Sequence, residues 1–447
     1  MPLRLPRQVA PRALSIVLAA IASAACADAT LGAQSLPRAT PGDVGLSAEA
    51  LARIAPAMRA YTDSGKLGGM LVAVARHGRL AYLETFGTAD VRTGAPLASD
   101  AVFRMYSMTK PVTAVAVLQL VERGTLGLDD PVARYIPAFA EAAVYAGGGA
   151  AHPTTTPAVR PITIRQLLMH TSGMAYGLGV LAPDSIANAR GLFVASRTVA
   201  GFADTVARIP LAFQPGARWR YGPGLEVLGR VVEIVDGRPF ERYLDEEIFT
   251  PLGMRSTAMR LTPALRARLA GYYERGPDGR LRTTRGMVPQ DLLEPAARFA
   301  CGGCGLVSTA GDYLRFAQML LNDGTLDGVR ILRPESAAEL RRDALPPALG
   351  PIPAGNFGPG TGFGLGVAVQ RDRASPENPS APGTFGWSGA ANTYFWVDPA
   401  NGVIGMVLTQ HHPPFSYPLL RETKQLVYAA LVAPDSTAPA TPPRRPR

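Results

Sequence analysis

Ser107 and Lys110 stand three residues apart in the stretch Met105-Tyr-Ser-Met-Thr-Lys-Pro111. Lys110 is one of only three lysines among 45 basic residues, the remainder being arginine. Arginine keeps its proton at any workable pH, whereas a desolvated lysine can be driven toward the neutral amine and exchange protons. At a helix start, residues i and i+3 share a face, so the amine can reach the Ser107 hydroxyl and activate it as a nucleophile. A solvated lysine beside a serine cap gives the same four-residue pattern, so other motifs must decide between the two readings.

The element carrying this pair is legible. Val112, Val115, Ala116, Val117, Leu118 and Val121 predict a buried helix from about Met108 to Arg123, stopped by Gly124. Pro111 is tolerated only in its first turn, which places Ser107 at the helix entrance, in the positive field of the dipole. That position suits a nucleophile whose transition state carries an oxyanion.

Around it the periodicities predict an α/β chain. Ser47 caps a helix to about Thr62. Met70 to Ala75 and Leu80 to Phe86 form a hairpin turning at His77-Gly78. Helical pieces follow at Ile164 to Met169, Thr198 to Ile209 and Leu225 to Val235, the last closed by Gly237. Leu365 to Val369, Tyr394 to Val397 and Gly402 to Thr409 read as strands, and Leu419 to Leu431 as a helix. Strands at both ends with helices between imply a sheet closed by the two chain termini, with a helical lobe inserted. Residues 141–160, rich in Gly, Ala, Thr and Pro without periodicity, read as a surface loop.

Composition bounds the function. The 447 residues are 47% apolar and 18% charged, enough for a large core. The net charge of +10 comes from scattered arginines without interleaved aromatics, which argues against nucleic-acid binding. Arg4, Arg7 and Arg12 precede an apolar stretch from Ala13 to Ala25, so residues 1–33 read as an export signal and the start of a linker that continues over 34–46. Cleavage sites after Ala25, Ala29 or Ala33 are compatible with it, and lipidation of Cys26 is the competing case, disfavoured by Ser23. An exported protein, periplasmic or secreted, follows. No further apolar run is long enough to span a membrane. A single folded domain is expected over 47–432, and residues 433–447 as a disordered Pro/Ala/Arg-rich tail.

Two other groups invite chemistry. Cys301-Gly-Gly-Cys304 lacks the second pair a four-ligand zinc site needs, leaving a local disulfide or two small side chains in a tight turn. His411-His412 reads as a solvated loop pair, and His170 as a turn residue rather than a partner for Ser172.

Tyr221 lies in Phe213-Gln-Pro-Gly-Ala-Arg-Trp-Arg-Tyr-Gly-Pro223, followed by Leu228-Gly229 and Pro251-Leu-Gly-Met254; Leu167-Leu-Met-His-Thr-Ser-Gly-Met174 and Gly305-Leu-Val-Ser-Thr-Ala310 flank it. With Ser107 and Lys110, these motifs resemble the class C serine β-lactamase and penicillin-recognising hydrolase family over roughly Ser47 to Val432, nearest to its esterases. The resemblance implies a β-lactamase-like antiparallel sheet flanked by helices, a nucleophile at Ser107, a partner amine at Lys110, and the Tyr221 phenol as general base and acid. The family's Lys-Thr-Gly matches Trp387-Ser388-Gly389 here, and the N–H groups of Ala390 and Ser107 would form the oxyanion hole. Two departures inform substrate choice. Trp387 replaces the lysine that holds a substrate carboxylate, and Pro223 replaces the asparagine that holds a substrate amide. The resemblance therefore implies a carboxylesterase acting on a small ester without metal or cofactor, which the N-terminal pattern makes an exported one, with a β-lactamase, D-aminopeptidase or DD-peptidase as rivals. A non-catalytic binder of cell-wall peptides is the rival from another class; it has little need for Ser107, Lys110 and Tyr221 together.

Overall fold

The computed structural model describes residues 35–432, except 287, 354–356 and 373–374. The expected export signal, Cys26 and the tail lie outside the described residues.

Eight strands build one antiparallel sheet: β1 (Gly69–Arg76), β2 (Arg79–Asp90), β3 (Ala95–Pro96), β4 (Thr361–Phe363), β5 (Ala368–Gln370), β6 (Phe385–Gly389), β7 (Thr393–Asp398) and β8 (Val403–Thr409). Their spatial order is β4-β5-β6-β7-β8-β1-β2-β3. The N-terminal and C-terminal parts of the chain meet at the β1·β8 pair, in register from Met70 opposite Thr409 to Arg76 opposite Val403. Every residue of β7 and β8 is buried. The reason is that helices cover both faces, so alternation between polar and apolar side chains is lost. Along β7 the Phe395 ring packs on Tyr313, whereas the next residue, Trp396, faces Lys424 on the opposite side. Tyr313 and Lys424 belong to two of the four helices that matter most, α1 (Thr109–Glu122), α2 (Gly224–Asp236), α3 (Ala310–Leu321) and α4 (Leu419–Ala429). Helices Ile164–Leu168, Ala182–Ala189, Val199–Ala207 and Phe240–Leu244 fill the chain around α2 and form the inserted lobe. Among the described residues no helix is long and apolar enough to cross a membrane.

Four expectations are corrected. The helix after Ser47 breaks into Ala48–Ala52 and Ile54–Asp63, because Pro56 has no N–H to give the Ala52 carbonyl. Residues 141–160 are not a loop: Ala143–Gly149 and His152–Pro157 pair as a hairpin, tied to the lobe by Tyr145 N–H donating to the Leu211 carbonyl at 2.8 Å. The β-branched run Thr154 to Thr156 was its sequence signal. The strand expected from Leu365 shortens to β5, since Gly366 turns at φ 79° to pass over α1, where a Cβ would crowd Ala114. Residues 35–46, expected as linker, pack on the domain, with Leu36, Val44 and Leu46 buried and Leu46 bridging Leu431.

Candidate active site

Ser107 sits in a single 3-10 turn, Tyr106–Met108, that runs directly into α1. Tyr106 takes a left-handed φ of 45°, a conformation a bulky residue holds only when its surroundings enforce it. Thr109 supplies part of that enforcement. Its hydroxyl donates to the Tyr106 carbonyl at 2.5 Å and accepts from Leu306 N–H at 3.1 Å. Tyr313 adds a 2.7 Å bond to the Met108 carbonyl. Lys110 and Pro111 occupy the first turn of α1, where a missing N–H costs nothing.

Lys110 is fully buried, and its ammonium meets Ser107 Oγ at 3.4 Å, the Gly303 carbonyl at 2.8 Å and Glu226 Oε1 at 3.5 Å, and also bonds the Tyr221 side chain. The nitrogen also lies 4.8 Å from the centre of the Tyr221 ring. The Tyr221 phenol and the Ser107 hydroxyl share a hydrogen bond of 2.6 Å. Burial alone pushes the Lys110 pKa down, but the Glu226 carboxylate and the Tyr221 phenol outweigh it and leave it raised. The expectation that desolvation yields a neutral amine is thus corrected. A buried carboxylate makes Lys110 a standing cation instead.

Glu226 is the main residue that the motifs missed. It lies in the first turn of α2, is fully buried, and accepts a hydrogen bond from the Tyr176 hydroxyl as well as pairing with Lys110. The available signal was the lysine itself, because a buried ammonium requires a counter-charge nearby. Tyr176, equally unforeseen, stays protonated, since burial and then the Glu226 charge push its pKa far up.

Tyr221 is oriented from behind by His170. That residue turns the chain at φ 56°, accepts the Gly222 N–H on Nδ1 at 3.3 Å, and packs its ring 4.7 Å from Tyr221. Burial first, and the Lys110 charge second, hold His170 far below its usual pKa, so it is a neutral acceptor. The turn role expected for it agrees with this placement. His411, expected as half of a solvated pair, is buried instead and pairs in parallel with Tyr273; burial lowers its pKa to about 4.

The Trp387 to Ala390 segment closes the site from the sheet side. Gly389 is required there because a Cβ would strike the Met105 carbonyl and Thr393. Its close approach brings Ala390 to the same cavity wall as Ser107, Ser388 and Trp387. Trp387 stacks on Phe357 at 5.5 Å and meets Phe363 edge-on at 5.2 Å, while among the described residues its indole N–H has no hydrogen-bond partner. Pro223, expected to face substrate, is buried as the N-cap of α2 and does not line the cavity. The cavity itself holds about 380 Å³ with Ser107 and Tyr221 in its wall. Tyr176, Phe193, Trp219 and Trp387 make that wall mostly aromatic, and half-exposed Leu178 and Phe415 flank it.

A Beta-lactamase family model matches residues 54–429. The chain belongs to the β-lactamase family and is a serine hydrolase. Esterase EstB of Burkholderia gladioli is 33% identical over 386 residues, covering 81% of this chain and 91% of its own. Protein Rv1367c of Mycobacterium tuberculosis is 38% identical over 368 residues, covering 80% and 90%. The solved structure of EstCE1, described as a hydrolase with promiscuous acyltransferase activity, matches with a TM-score of 0.72 at 28% identity, covering 86% of this chain and 99% of that one.

Proposed function

We propose that the protein is a carboxylesterase that works through an acyl-enzyme on Ser107. The observation that carries this reading is the 2.6 Å bond between Ser107 and Tyr221, with the buried Lys110 cation against both, in an aromatic cavity. The Lys110 ammonium lies beside Ser107 and Tyr221, where it stabilises negative charge that develops on either oxygen, and Glu226 is its counter-charge. Tyr221 then takes the Ser107 proton as the hydroxyl attacks the ester carbonyl, and the N–H groups of Ser107 and Ala390 receive the developing oxyanion. The same phenol returns the proton to the leaving alcohol, and water, deprotonated in turn by Tyr221, releases the acid.

Substrate class follows from the wall opposite. Trp387 offers a neutral indole N–H, unpaired among the described residues, where a carboxylate-bearing substrate needs a cation. Short-chain p-nitrophenyl esters should therefore be cleaved with a kcat/KM about a hundredfold or more above that for nitrocefin, each missing polar anchor being worth about 1.5–3 kcal/mol. Equal efficiency on both in parallel steady-state assays would exclude the esterase preference, and Trp387→Lys should narrow the gap.

Export is proposed with it, on the Arg4 to Ala25 pattern. N-terminal sequencing of the protein from a secreting host should begin within residues 26–34. A cytoplasmic product that retains its first residues would refute export.

A further inference from the structure

The turn Cys301-Gly-Gly-Cys304 lies directly behind Lys110, and the ester reaction makes no use of its sulfurs. They are joined as a disulfide with Cα atoms 5.2 Å apart. Cys304 reaches the cavity wall, while Cys301 is sealed in with its sulfur 4.0 Å from Glu226 Oε1. The turn is held from both sides: Lys110 donates to the Gly303 carbonyl and Thr113 to the Gly302 carbonyl, at 2.8 and 2.5 Å. Both glycines are dictated by contact, since a Cβ would strike the Leu225 carbonyl at 302 and the Glu226 carboxylate at 303. One carboxylate oxygen and two sulfurs thus lie within 4.8 Å of one another, all buried. Glu226 Oε2, moreover, has no hydrogen-bond partner among the described residues. An unsatisfied buried carboxylate oxygen costs free energy and calls for a ligand.

We infer that reduction of this disulfide creates a site for a thiophilic divalent cation, held by Cys301, Cys304 and Glu226. Cys-x-x-Cys is a spacing that places two thiolates on one metal, and three protein ligands leave a fourth position open toward the cavity. The charges close as well. Two thiolates and a carboxylate carry −3, a divalent cation +2 and Lys110 +1, so the buried group is neutral. The chemistry balances: a trialkylphosphine and water reduce the S–S bond, oxygen leaves as phosphine oxide and one hydrogen ends on each sulfur. Zn²⁺ then displaces both thiol protons.

The test uses the full chain, reduced with a trialkylphosphine or left oxidised, equilibrated with Zn²⁺ and passed through gel filtration. Metal is counted by atomic spectroscopy, a readout independent of esterase activity and so of the proposed function. Reduced protein should retain about one zinc per chain and oxidised protein almost none. Cys304→Ser should abolish retention, and Glu226→Gln should weaken it about tenfold or more. Co²⁺ in place of Zn²⁺ should give the visible bands of a tetrahedral thiolate site, which a loosened chain with two free thiols does not produce. Equal zinc on reduced and oxidised protein would overturn the inference. So would retention by Glu226→Gln as tight as that of the wild type, because the cysteines alone would then be the ligands.

Discussion

Ser107→Ala should lower kcat/KM on a short-chain ester by on the order of 10⁴-fold or more, because removing the nucleophile leaves only the binding and oxyanion contributions. The change deletes one oxygen from a turn held by other residues, namely Thr109, Leu306 and Tyr313. Its melting temperature should accordingly stay within about 4 °C of the wild type. Retained turnover in a cleanly folded variant would place the attacking group elsewhere.

The second large effect separates activity from stability. Lys110→Met keeps the side-chain length but removes the cation facing Tyr221, and kcat should fall by about 10²–10³-fold. It also strands the fully buried Glu226 without a counter-charge, a loss of about 3–5 kcal/mol. Adding Glu226→Gln removes the stranded charge, so the double variant should regain most of the melting temperature and none of the rate. Glu226→Gln alone makes a different prediction. With the carboxylate gone, burial dominates Lys110 and its pKa drops. The cation is then lost as pH rises, and the alkaline limb of the rate profile moves to lower pH. A double variant that recovers activity, or an unmoved alkaline limb, would remove Lys110 from the role of standing cation.

The helix carrying Ser107, the Leu225 to Val235 helix and the hairpin at His77 follow from periodicity and turn chemistry within one segment, and they form as expected. The meeting of β1 with β8 was likewise implied by strands at both ends of the chain. What escaped depends on contacts between distant segments. Glu226 is an ordinary acid on an amphipathic helix until folding lays it against Lys110, 116 positions earlier. Gly302 and Gly303 look like a flexible turn, yet they are small because Glu226 and Leu225 pass close by. Residues 35–46 show too little periodicity to reveal that Leu36, Val44 and Leu46 are core residues. The family motifs pointed to Tyr221 and Trp387, which share a cavity wall with Ser107. They did not foresee that the proline at 223 would cap a helix rather than face the cavity.

The most direct test of the account is intact-mass measurement after brief exposure to a slowly hydrolysed ester or an alkyl phosphonate, followed by peptide mapping. The wild type should gain one acyl or phosphonyl group, located on the peptide containing Ser107. Ser107→Ala should gain none, and Tyr221→Phe should label at least about a hundredfold more slowly, having lost the proton acceptor. An adduct that persists on Ser107→Ala, or that maps to Ser172 or Ser388, would contradict the acyl-enzyme on Ser107.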